Sequence, residues 1–313
     1  GKGIIVRDPK MDTKDPKARE KLFKEYGDFV TSLNGCYITA EDVGTNTTDV
    51  GNIFSRCRFV ISVPEECGGS GNPSIATARG VVRGMEAAIH FVEGSRSSLE
   101  GKKIVVQGMG NVAEPMMEFL FEKHVGEIVA CDINPETVDR VKKKFTGKPL
   151  KASVIDKGDM SILFEPCDIL APCATGAIIN PKTIPQIRAK ILYGAANNQL
   201  EDGEREDKML LEKGILYVPD FLVNRMGIVN CCNEQYGYID HDPLIEQHLN
   251  YDWDQSVYQT TLRVLRKARS TGIGPGHMAV ELADEMAQKA HPMFGHRGQL
   301  IIDSLVRNHW ERG

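Results

Sequence analysis

The chain holds only two tryptophans among few aromatic residues, no long apolar run and no large surplus of either charge. No stretch approaches the roughly 18 uncharged apolar residues of a membrane helix, and the first ten positions lack the apolar core of a signal peptide. A soluble, cytoplasmic protein with no membrane partner is therefore expected. The 43 acidic residues outnumber the 38 basic ones by a formal charge of only -5, spread along the chain, so no basic field attracts nucleic acid. The eight cysteines form no C-x-x-C pair and several lie in apolar runs, as in residues 128–132 and 168–174, which points to reduced, structural thiols. The eight histidines show no H-x-x-x-H or Cys/His ligand spacing, so no metal is expected. Internal repeats and low-complexity segments are also missing. What remains is average globular composition, 41% hydrophobic and 26% charged over 313 residues, enough for two domains and a sizeable core.

Residues 3–6 read as a strand. Asp15 and Pro16 then make an N-cap and first helical position, and Leu22, Tyr26, Phe29, Val30 and Leu33 form one helical stripe that Asn34-Gly35 ends. A short strand at 37–39 runs into the polar turn 40–45. Residues 65–74 read as a loop and hinge before a helix at about 73–93. From 101 to about 219, short apolar runs at 103–107, 127–131, 168–171, 191–193 and 215–218 alternate with helices, the pattern of a parallel sheet covered on both faces. The remainder is mostly helical. Trp253, Val257, Thr261, Val264, Leu265 and Ala268 make one stripe, and Met278, Leu282 and Met286 another. The fold class is α/β, a Rossmann-type doubly wound parallel sheet domain with a smaller α/β domain.

The strongest motif is Gly108-Met109-Gly110-Asn111-Val112-Ala113, a G-x-G-x-x-A that follows the strand at 103–107 and opens a helix. Gly108 permits the tight turn, Gly110 lets the helix start approach a pyrophosphate, and Ala113 allows close helix–sheet packing. The next strand ends at Asp132, placed to accept hydrogen bonds from the adenosine ribose. That carboxylate would repel a 2′-phosphate and no arginine follows it, so the cofactor expected is NAD rather than NADP. An N-cap for the helix near Pro135 is a second job open to Asp132.

The stretches at 33–45 (LNGCYITAEDVGT), 70–81 (SGNPSIATARGV), 105–113 (VVQGMGNVA), 171–180 (APCATGAIIN) and 194–200 (GAANNQL) together resemble the amino-acid dehydrogenases that act on leucine, valine, phenylalanine and, more distantly, glutamate, the leucine type most of all. The resemblance implies oxidative deamination of an L-amino acid to its 2-oxo acid, and the reverse. It also implies a small catalytic domain, built from both chain ends, facing the NAD domain across a cleft that opens and closes. Residues 1–72 and 270–313 are expected to form the catalytic and oligomerisation part, and 73–269 the NAD domain.

Carried over residue by residue, Lys2 matches the lysine that activates the attacking water and Asp42 the aspartate that moves protons. Thr77 and Asn197-Asn198 match contacts to the nicotinamide and nearby substrate, and Cys173-Ala174 lie along the cofactor path. Ala40, Ile228 and Cys231 map to the substrate side-chain pocket, apolar and without a cation, which favours a branched aliphatic substrate over glutamate, with valine and phenylalanine as alternatives. Without the resemblance, Lys2 reads as a solvated terminal lysine and Asp42 as the cap of a polar turn.

Two departures stand out. The family's N-A-G-G is Asn224-Arg225-Met226-Gly227 here, which puts large side chains where small ones are expected. Met226 is placed to narrow or fill the pocket, and Arg225 either binds a carboxylate or turns outward over apolar surface. Roughly the first quarter of a typical member is also missing, including its carboxylate-clamping lysine. A separate N-terminal fragment completing the catalytic domain is one expectation. An NAD-binding pseudoenzyme is the alternative function, supported by Arg225-Met226. A homo-oligomer is the default assembly.

Overall fold

The computed structural model describes residues 2–6, 12, 15–42, 44–239 and 241–310. Two compact units emerge, the first from residues 1–73, 228–242 and 287–313, the second from 74–227 and 243–286.

In the first unit the Asp15 side chain accepts from the Lys17 amide and Pro16 opens α1 (Pro16–Ser32), as the cap and proline signals predict. Asn46 and Asp49 form a reciprocal capping box that starts α2 (Thr47–Phe54). The two helices touch at Gly27, where an added Cβ would lie 2.9 Å from the Ile53 carbonyl oxygen. Phe23, Val30, Val50, Ile53, Cys57, Val60 and Val63 make the core between them. Thr39 pairs with Val60 in a single parallel bridge, so the strand read at 37–39 is one residue of pairing. Residues 3–6 are not a strand: Ile4 is 83% exposed, and the Gly3 amide donates to the Tyr37 hydroxyl at 2.9 Å rather than to a neighbouring backbone. An apolar run becomes a strand only with a ladder partner, and none is present among the described residues.

The second unit opens with α3 (Ser74–Glu93) and continues through β1 (Lys103–Gln107), α4 (Ala113–Glu122), β2 (Glu127–Asp132), α5 (Pro135–Lys144), β3 (Leu150–Val154), β4 (Cys167–Pro172), β5 (Ala189–Leu192), α6 (Gly203–Lys213), β6 (Leu216–Tyr217) and α7 (Asp220–Val223). The chain then passes through α8 (Met226–Asn233), most of which belongs to the first unit, returns to the second for α9 (Pro243–His248), α10 (Val257–Thr271) and α11 (Pro275–Ala287), and ends in the first with α12 (Arg297–Arg307). The strands form one parallel sheet in the order β3-β2-β1-β4-β5-β6. This doubly wound order reverses between β1 and β4, the point where such sheets bind ligands at the strands' carboxyl ends.

Five of the six strands are the apolar runs of the sequence, because a parallel strand covered on both faces must be apolar throughout. β3 escaped that reading: Leu-Lys-Ala-Ser-Val is an edge strand whose residues all stay at least partly exposed. Ile104, Val106, Ile128 and Ile169 pack against α3, α4 and α10 on one face, while Val105, Leu170, Ile179 and Leu192 build the core of the other. All eight cysteines are free thiols. No helix among the described residues is long and apolar enough to cross a membrane.

Candidate active site

The loop after β1 has the geometry its glycines predict. Gly108 sits at φ +92°, and a Cβ there would meet the Ala174 Cβ at 2.6 Å, so both the turn and the close approach demand glycine. Gly110 is the opposite case. It is exposed, and a Cβ there would meet nothing within 4 Å. The open space lies beside Asn111 and Val112 at the start of α4, where backbone amides and the helix dipole favour an anion, so these residues fit a pyrophosphate.

Asp132 ends β2 beside this loop. Its Oδ2 accepts from the Met109 amide at 2.8 Å and its Oδ1 from the Asn134 amide at 2.9 Å. The cap of α5 is Asn134, whose side chain accepts from the Glu136 amide, with Pro135 in the first turn. Asp132 is thus not that helix's N-cap: the chain continues two residues past the strand before turning, so Asn134 stands directly before Pro135 and meets the free amide of Glu136.

Gln107, the last residue of β1, ties the two sides of the switch point together. Its carbonyl oxygen accepts from the Cys173 amide at 2.7 Å and its Oε1 from the Ala174 amide at 3.3 Å. Burial pushes the Cys173 thiol up to about 12, leaving it a neutral lining group. Asn197 and Asn198 follow β5 and are exposed. Asn197 Oδ1 accepts from Asn224 Nδ2 at 2.6 Å, and the Asn198 amide donates to Asp220 at 2.7 Å. The buried Gln199 donates to the Gly194 and Ala196 carbonyls at 2.6 and 3.0 Å, bracing the same turn. Thr77 is buried on α3. Gln107, Gln199, Asp220 and Asn224 were not singled out as positioning groups from the sequence; a polar residue closing an apolar strand was the signal available for Gln107.

A second constellation lies wholly in the first unit. Lys2 Nζ donates to Asp42 Oδ2. The pair lines a cavity of about 510 Å³ together with Ala40 and Ile228, and with apolar Ile38, Leu22, Phe23 and Ile61. Four of the residues carried over by resemblance therefore meet in one place. Cys231 is not on that lining: it is buried, its Sγ 2.9 Å from Ser62 Oγ, and burial pushes its thiol up to about 11. The Lys2 and Asp42 side chains are 71% and 45% exposed, so this unit alone does not desolvate them. Glu41 lines the same cavity, its carboxyl held above the usual range by burial and by the nearby Asp49 charge.

The two unusual side chains of the 224–227 turn go inward. Met226 is fully buried in the second unit, against Gly80 of α3. Arg225 binds no carboxylate among the described residues. It donates to Thr260 Oγ1 at 3.2 Å and to the Gln255 carbonyl, and burial lowers its guanidinium to about 10.

Against known proteins, the profile of the Glutamate/Leucine/Phenylalanine/Valine dehydrogenase family matches residues 68–283, more than half of the chain. The chain belongs to this family. Within it, leucine dehydrogenase of Geobacillus stearothermophilus is 39% identical, the match covering 88% of this chain and 76% of that protein. L-tryptophan dehydrogenase of Nostoc punctiforme is 35% identical over 91% of this chain and 74% of its own length. The crystal structure of L-tryptophan dehydrogenase from Nostoc punctiforme superposes with a TM-score of 0.67, covering 85% of this chain and 72% of that one. A hetero-hexameric glutamate dehydrogenase from Thermus thermophilus shares the fold at 20% identity and a TM-score of 0.66, over 91% of this chain and 72% of that one. The protein is accordingly an amino-acid dehydrogenase.

Proposed function

We propose that this dehydrogenase oxidises a branched-chain L-amino acid with NAD, giving the 2-oxo acid, ammonia and NADH, and runs the reverse reductive amination. The observation that carries the substrate class is the lining of the Lys2–Asp42 cavity. Leu22, Ile38, Ile61 and Ile228 give it an aliphatic side beside its aromatic and polar groups, and its two cations among the described residues are both engaged: Lys2 by Asp42, and Arg19 by Asp49 at 2.5 Å. A second substrate carboxylate would find no cation there, and an unpaired buried charge is costly.

In this reading the sheet unit holds the cofactor. Gly108, Gly110, Asn111 and Val112 receive the pyrophosphate, Asp132 the adenosine ribose, and Cys173, Ala174, Asn197 and Thr77 the nicotinamide end. When bound, NAD supplies the hydride acceptor for the substrate Cα. Lys2 takes a proton from the water that attacks the imino carbon, and Asp42 passes protons to and from the nitrogen as ammonia leaves. Ala40 and Ile228 meet the substrate side chain.

A homo-oligomer is the working form expected of a soluble enzyme of this size. The non-catalytic alternative rested on Arg225 and Met226, and both are used in packing the sheet unit. The test is NADH formation from L-leucine, L-valine, L-phenylalanine, L-tryptophan and L-glutamate, with NADP in parallel. Best turnover with leucine or valine and NAD is expected; preference for glutamate or for NADP would overturn the assignment.

A further inference from the structure

The loop that carries Asp42 has little secondary structure of its own, yet its backbone is held at several points. Thr45 Oγ1 accepts from the Asp42 amide at 2.8 Å and donates to the Asp42 carbonyl at 2.7 Å, closing a small ring at the base of the side chain. The next anchor comes from a different helix. Arg19 on α1 donates through Nη2 to the Gly44 carbonyl at 2.8 Å, and the same guanidinium grips Asp49 of α2 by two bonds, Nε to Oδ1 at 2.6 Å and Nη2 to Oδ2 at 2.5 Å. Asp49 is 1% exposed and its Oδ2 also accepts from the Asn46 amide at 2.9 Å, so the carboxylate is fixed before the arginine reaches it.

We infer that Arg19 is a positioning residue for Asp42. The planar fork of the guanidinium spans a carboxylate and a carbonyl at once, and so transmits the rigid placement of α1 and α2 to the loop between them. A fork–carboxylate pair with one buried partner holds its geometry where a solvated lysine would swing. Arg19 does not touch the Lys2–Asp42 pair by any of these bonds; it acts through Gly44 and Thr45. Ordering of this kind sets how often Asp42 stands at the angle that proton transfer needs, and small misplacements of a reacting group cost orders of magnitude in rate. The inference rests on the assignment of Asp42 above and adds the device that holds it.

The test uses the full-length chain with its best amino-acid substrate and NAD. Arg19→Ala and Arg19→Lys are expected to lower kcat by roughly 10- to 100-fold while the KM for NAD stays within about twofold. Lysine fails to rescue because one ammonium cannot make the bidentate pair and the Gly44 bond together. Guanidinium ion at low millimolar concentration is expected to restore part of the kcat of Arg19→Ala, and methylammonium is not. Thermal melting and near-UV circular dichroism of each variant measure the folded fraction by which kcat is corrected. Corrected kcat within twofold of wild type in both variants overturns the inference. So does full rescue by lysine, or a guanidinium response no larger than that of methylammonium. Asp42→Asn in the same assay separates the two levels: wild-type turnover in that variant removes the Asp42 assignment itself, whereas a dead Asp42→Asn beside fully active Arg19 variants removes only the positioning role.

Discussion

Replacing Asp132 by alanine changes two things that cofactor choice can separate. In the folded protein the carboxylate accepts from the Met109 and Asn134 amides, one on each oxygen. A carboxylate has about four acceptor sites, so each oxygen retains one for a ribose hydroxyl. Alanine removes the side-chain acceptors of the Met109 and Asn134 amides, which loosens the glycine loop and weakens any dinucleotide by the same factor. On the function proposed above it also removes the charge-assisted bonds to the 2′- and 3′-hydroxyls of NAD, worth about 1.5–3 kcal/mol, or roughly 10- to 150-fold in Kd. NADP loses no comparable contact and is relieved of a like charge beside its phosphate. Titrating NADH and NADPH fluorescence into wild type and Asp132→Ala, at one fixed salt concentration, should show the NAD preference collapsing by at least about tenfold. Asp132→Asn, which keeps one acceptor oxygen, should fall between. Equal weakening of both cofactors would refute the ribose role and leave Asp132 as a loop brace.

Lys2→Ala and Asp42→Asn should each abolish turnover while NADH binds with nearly unchanged affinity, because both lie in the unit that does not carry the glycine loop; surviving activity in Lys2→Ala would mean another base. Met226→Ala empties a fully buried site against Gly80 and should cost about 2–5 kcal/mol in urea unfolding, and a loss below about 1 kcal/mol would show that the pocket collapses. Burial and the neighbouring Arg225 charge lower His248 from 6.5 to about 4. The unfolded chain therefore takes up a proton that the folded one refuses, so the urea midpoint should fall as pH drops from 6.5 toward 4. His248→Gln should flatten that part of the curve, and identical pH dependence in both proteins would contradict it.

Much of the sheet unit was legible because its physics is local. A strand buried on both faces has to be apolar, a glycine at positive φ leaves its mark as glycine, and a cap needs a small polar residue before the first turn. The Gly108 loop carries those marks on its surface, and so do Asp15 and Pro16 in the first unit. β3 does not, since an edge strand tolerates lysine and serine, and residues 3–6 show the converse, an apolar run with no neighbour to pair with. The site was harder to read. Asp42 drew attention as a carboxylate at a strand end, but Lys2 stands forty positions away and was joined to it only by resemblance to a family. Arg19 looks like any charge on the outer face of a helix until folding brings Asp49, thirty positions away, into its fork. Arg225 left two readings open, a carboxylate ligand or a solvent-facing stem, and the structure takes neither, burying the guanidinium on a carbonyl and a hydroxyl.

The meeting of Met226 with Gly80 couples two places far apart in the chain. A single added carbon at position 80 would lie 2.4 Å from the Met226 Cγ, so a side chain on the helix and a long one on the turn are mutually exclusive. The constraint is one-sided. Alanine at 80 requires that position 226 first lose its long side chain, whereas a glycine at 226 leaves a hollow that position 80 is then free to fill. The order of the two changes therefore decides whether the intermediate protein carries a clash or only a cavity.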